Sequence, residues 1–225
     1  MELKYDNLVD ELTSIVSKQS KKPNKNIIAT KLNVFGLYIP KIKELAKKYK
    51  DYDFVDFKFN EYYEINFIYA YANLLKLQFD TNKQVDFIIN NSSVFECWAI
   101  VDSCAPLIKN VSLEIANRFL ESNEEFIIRF AYVILLGKVR KHMMIKDAFN
   151  IIIKDERYYV MMAEGWLLSE CIISNFDESF ELLKISNISD KIKFIAIQKA
   201  LDSFRLNDEN KMTLRKYRKF LKGAN

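Results

Sequence analysis

Three short stretches carry residue types able to do chemistry. In CWAIVDSCAP (97–106), Trp98 and Asp102 stand four residues apart, a spacing that puts both side chains on one face of a helix. A carboxylate beside an indole stabilises a developing cation, the acid through its charge and the ring through its π face. The competing reading buries Trp98 in the core and has Asp102 cap a helix end or pair with a nearby base. In EEFIIRFAYVILLG (124–137), Arg129 interrupts an apolar helix. A guanidinium buried alone costs several kcal/mol, so it needs a partner. That partner is a protein carboxylate such as Asp102, or an external phosphate gripped through two N–H groups. In DERYYVMMAEGWLLSEC (155–171), Trp166 follows Gly165 inside a helix, where glycine costs roughly 1 kcal/mol relative to alanine. Such a glycine admits close approach of another backbone or leaves room beside a large side chain. Tyr158, Tyr159 and Met162 read as core around the same helix.

Other chemistries find little support. The chain has one histidine, His142, and nothing near it resembles a nucleophile. It shows no Gly-rich phosphate loop, no GxSxG and no HExxH, and the single histidine disfavours a zinc site. Cys97, Cys104 and Cys171 lack CxxC spacing and read as reduced, buried thiols of a cytoplasmic protein. With 34 basic and 30 acidic residues the net charge is +4, a mild bias that matters only if the basic residues gather on one face. They cluster at KKPNKN (21–26), Lys41–Lys50, KVRKH (138–142) and RKYRKFLK (215–222). Each cluster is either a phosphate-contacting surface or a solvated helix end. No secretion signal and no membrane span is expected, since no apolar run nears the roughly 18–20 residues a span needs.

The elements that must position these residues are helices. Only four Gly and three Pro occur in 225 residues, too few for an all-β fold rich in tight turns. Apolar periodicity predicts helices over 5–18, from about 26 to Gly36, from Pro40 to about 50, and over 61–78, the last apolar nearly all round. Further helices are expected near 81–90, 94–104, 107–120, 124–136, 140–154, 157–173, 176–185, 190–204 and 208–222. Pro106 marks a boundary, Gly137 reads as a C-cap, and no alternating strand pattern is found. One domain over 1–225, a monomer, is expected. On pattern alone it is a helix-pair solenoid or an irregular helical bundle.

In order along the chain, these residues resemble the AlkD family of HEAT-like-repeat DNA glycosylases. The resemblance runs through FGLYIPKIKELAKKY (35–49), CWAIVDS (97–103), FIIRFAYVILL (126–136), YYVMMAEGWLLSE (158–170) and FIAIQKALDSFRLNDENK (194–211). It implies an all-α fold of HEAT-like antiparallel helix pairs, forming a right-handed superhelix with a concave, basic groove for duplex DNA. It implies excision of cationic alkylated purines, N3-methyladenine and N7-methylguanine, with no cofactor and no base-flipping pocket. Residue by residue, it makes Asp102 the catalytic carboxylate, Trp98 and Trp166 the groove tryptophans against the lesion's sugar–phosphate backbone, and Arg129 the arginine near a lesion phosphate.

An alkylated purine is already a charged leaving group, so the residues mainly stabilise an oxocarbenium-like sugar and position a water. Some positions depart from the family's pattern. Ser169 stands where many members carry a basic residue, Cys97 replaces a polar residue, and Glu164 places a negative charge next to Trp166. The alternative is a non-catalytic helical-repeat module that binds nucleic acid or protein through the same face.

Overall fold

The scarcity of glycine and proline leaves long stretches free to satisfy their own backbone groups. In the computed structural model, which describes residues 1–19 and 25–223, the fold is accordingly all-α, built of packed helix pairs in the manner of helical repeats. It forms two compact units, Met1–Asn110 and Val111–Asn225. No helix among the described residues is long and apolar enough to cross a membrane.

The first unit runs β1 (Glu2–Lys4), α1 (Tyr5–Ser17), α2 (Lys25–Ile28), α3 (Ile39–Lys48), β2 (Asp53–Val55), α4 (Tyr63–Lys76), α5 (Thr81–Asn90) and α6 (Trp98–Cys104). Its centre is α4, buried on nearly every side as its all-round apolar pattern predicts, with α3 and α6 packed on it. The strands pair in parallel, Leu3 opposite Phe54. They correct the expectation of no strands. At three residues each they are too short to show a period of two.

The second unit runs α7 (Leu113–Leu120), α8 (Glu125–Val133), α9 (Leu136–Val139), α10 (Ile145–Asn150), α11 (Tyr158–Ser174), α12 (Phe176–Ile185), α13 (Asp190–Asp202) and α14 (Asp208–Gly223). Here α11 is the buried centre, and α13 and α8 pack against it. A Cβ on Gly165 would meet Ile195 Cγ2 at 2.3 Å and Ile195 Cβ at 2.8 Å. The glycine therefore exists to let α13 approach α11, one of the two roles its sequence position allows.

Among the expected helices that prove shorter, such as 94–104 and 107–120, which start only at Trp98 and Leu113, two more are cut back for one physical reason. In the 26–36 segment, α2 ends at Ile28, Ala29 is left-handed (φ 57°) and Gly36 takes φ 100°. The N–H groups of Phe35, Gly36 and Leu37 donate instead to the buried carboxylate of Glu64 on α4, at 2.8–3.1 Å. In 140–154, the left-handed His142 and Met144 precede a helix of only Ile145–Asn150. Ile153 N–H then donates to Glu164 of α11 at 3.1 Å. Each time a carboxylate on the central helix takes N–H groups that a local helix would have used. Gly137 is not a C-cap: it lies within α9, and the left-handed turn comes five residues later.

Candidate functional site

In the first unit the candidate residues lie on α6, a seven-residue helix starting at Trp98. Ala99, Ile100, Val101, Ser103 and Cys104 are buried, which anchors it on the first unit's core. Trp98 and Asp102 are the two residues left part-exposed, as a shared face at a spacing of four requires. The Trp98 indole N–H donates to the Ile27 carbonyl at 3.1 Å. Its ring walls an apolar pocket with Ile28, Tyr38, Pro40 and Tyr63. The tryptophan is thus held in one orientation without being enclosed.

Arg129 stands in α8 with 6% exposure. Its Nη1 donates to the Tyr159 carbonyl at 2.9 Å. One turn earlier on α8, Glu125 accepts the Tyr159 N–H at 2.7 Å. The two α8 side chains thus hold both backbone groups of one residue in the first turn of α11. This turn is the entry to the helix that carries Trp166. Tyr158, expected in the core, is 61% exposed, since it stands on the outer side of that turn. Tyr159 and Met162 are part-exposed rather than buried.

Trp166 is part-exposed in the middle of α11. Glu164, two residues before it, faces inward and is fully buried. Its Oε1 accepts from the Tyr132 hydroxyl at 3.0 Å as well as from Ile153 N–H. Burial pushes this carboxyl up to about 7, aided by the Asp155 charge and opposed by the two hydrogen bonds. The charge next to Trp166 in sequence is therefore turned away from it in space. Ser169 likewise turns inward, its hydroxyl donating to the Trp166 carbonyl at 2.7 Å.

Three further residues gather at Trp166. The Glu170 carboxylate, 4% exposed, accepts from Arg140 Nε and Nη2, both at 3.1 Å, and from Arg205 Nη2 at 2.8 Å. The Arg140 guanidinium lies 6.0 Å from the centre of the Trp166 ring. Burial favours the neutral acid at Glu170, but hydrogen bonds from Arg140 and Arg205 outweigh it and hold the carboxyl below its ordinary range. Glu170 follows Trp166 at the same spacing of four at which Asp102 follows Trp98, a signal present in the sequence. Arg140 belongs to the basic run 138–142, whereas Arg205 comes from the turn between α13 and α14 and has no local signature.

Of the other basic runs, 41–50 falls on α3 and just past its end, and 215–222 on α14. The run 21–26 lies outside the residues described with their side chains. Cys97, Cys104 and Cys171 are buried and unpaired by disulfides, as their spacing implied. No group of three or more His, Cys, Asp or Glu among the described residues is arranged to hold a metal ion.

No curated protein and no solved structure matches the chain. The profile of the family described as DNA alkylation repair enzyme does match, over residues 8–204, a span that contains every candidate residue of both units except Arg205, which follows it directly. The chain belongs to the DNA alkylation repair enzyme family.

Proposed function

We propose that the chain is a monofunctional DNA glycosylase that releases cationic alkylated purines, N3-methyladenine and N7-methylguanine, from duplex DNA. One observation carries the reading. In a chain of this family, α6 is buried everywhere except at Trp98 and Asp102, an aromatic face and a carboxylate side by side. The competing idea of a non-catalytic module would have these two packed shut or salt-bridged internally.

The chemistry asked of them is modest. The glycosidic bond breaks with its electron pair going to the cationic purine, which leaves neutral. The positive charge moves to C1′ of the sugar, where the Asp102 carboxylate and the indole face of Trp98 stabilise it, while Trp166 is assigned to the DNA sugar–phosphate backbone. Water adds at C1′ and gives up its proton, by way of Asp102, to solvent; the products are the free base and an abasic site. Arg129 serves beside a lesion phosphate while bracing the start of α11.

Release of methylpurine from methylated duplex at low salt tests this directly. Asp102→Asn should fold normally and lose activity by on the order of 100-fold, the scale of removing one pre-organised electrostatic group. Undiminished release by that variant removes Asp102 from the mechanism. No release by the wild type transfers the chain to the non-catalytic reading.

A further inference from the structure

We infer that Arg140 and Arg205, tied together by Glu170 beside Trp166, form a fork that grips a backbone phosphodiester of duplex DNA. The inference rests on the reading of the chain as a DNA-acting protein. One carboxylate against two guanidiniums leaves a net positive charge. The carboxylate side chain is 5% exposed and lies beneath, whereas the arginine side chains are 45% and 53% exposed. Solvent therefore meets the arginines, not the acid.

The geometry also leaves donors to spare. Arg140 spends Nε and Nη2 on Glu170, and Arg205 spends Nη2 alone. Arg140 Nη1, and Nε and Nη1 of Arg205, take no partner among the described residues. A guanidinium fixed on one edge and open on another is pre-organised for phosphate, because little side-chain freedom remains to be lost on binding. The Trp166 ring under Arg140 adds a π interaction that restrains it further.

Position 169, three residues on from Trp166, carries a serine. Here that position is buried and its hydroxyl is turned back on its own helix. The positive charge at Trp166 instead arrives from the end of α9 and from the turn after α13.

The test is binding of an undamaged labelled duplex, followed by fluorescence anisotropy over a salt series. Arg140→Gln/Arg205→Gln leaves Glu170 buried without partners and so risks misfolding. The triple variant Arg140→Gln/Glu170→Gln/Arg205→Gln removes the buried charge with its partners and serves as the principal probe. Its affinity should fall by about tenfold or more, and the slope of log K against log salt should become shallower by about 1 to 2, close to one for each phosphate no longer neutralised. Arg140→Lys/Arg205→Lys should keep most of the slope while binding more weakly, because lysine supplies charge without the fork.

A triple variant that melts like the wild type and keeps its slope overturns the proposal, as does a wild type that binds no duplex. Inorganic phosphate at constant ionic strength is the remaining arm. If it displaces the duplex at micromolar concentration from the wild type but not from the triple variant, the fork belongs to free phosphate instead. Methylpurine release measured in parallel keeps the two ideas separate. Fork-dependent binding without release sinks the glycosylase reading alone, and release with an unaltered slope sinks the fork alone.

Discussion

Glu164 shows how much a single residue's meaning depends on where its helix turns it. Next to Trp166 in sequence it reads as a charge that repels phosphate. In the fold it is a core acid with one oxygen bonded and Oε2 without a partner among the described residues. Its carboxyl rises from an ordinary 4.5 to about 7, chiefly through burial. A raised pKa in the folded state means the acid contributes fully below its unfolded value and that the contribution is lost as pH rises through about 7. Between about pH 5 and about pH 8 the wild type should therefore lose on the order of 3 kcal/mol relative to Glu164→Gln. Chemical denaturation of both proteins across that range measures it. Parallel stability curves would show that the carboxyl titrates normally.

At the scale of elements, α11 is located by what crosses it. Gly165→Ala improves helix propensity by about 1 kcal/mol, yet its new methyl meets the branched Cβ of Ile195, which cannot swing aside. Overpacking should win, with a net destabilisation of about 1–3 kcal/mol that Ile195→Ala in the same chain largely relieves. A thermal melt in which Gly165→Ala is stabilised would mean α13 is free to move off. The Glu125 and Arg129 pair makes a second prediction. Arg129→Ala leaves the Tyr159 carbonyl without that donor and should cost about 1–3 kcal/mol in stability. An unchanged melting temperature would mean the arginine does not brace the start of α11.

The whole molecule offers its thiols as reporters. Cys97 and Cys104 lie in the first unit and Cys171 in the second, all buried, and burial pushes each thiol well above its ordinary range. Alkylation requires the thiolate and access, so none should react quickly in the native protein. Rising denaturant should expose Cys97 and Cys104 together as the first unit opens, and Cys171 as the second does. Mass spectrometry of labelled peptides reads this out. Rapid labelling of any of the three under native conditions would contradict the burial of that unit's core.

Sequence by itself determined the helical class, the buried character of α4, the inert thiols, and the pairing of Trp98 with Asp102 on one face. All of these follow from local spacing and composition, which depend on neighbours a few residues away. It failed where distant groups compete for the backbone. Glu64 and Glu164 draw N–H groups out of segments whose periodicity says helix, and nothing local announces a carboxylate 11 to 29 residues further on. The tertiary structure alone decided that Arg129 braces Tyr159, that Glu164 turns inward, and that Arg140 and Arg205 meet on Glu170. Charges placed by separate elements become a site only when packing brings them to one hidden acid.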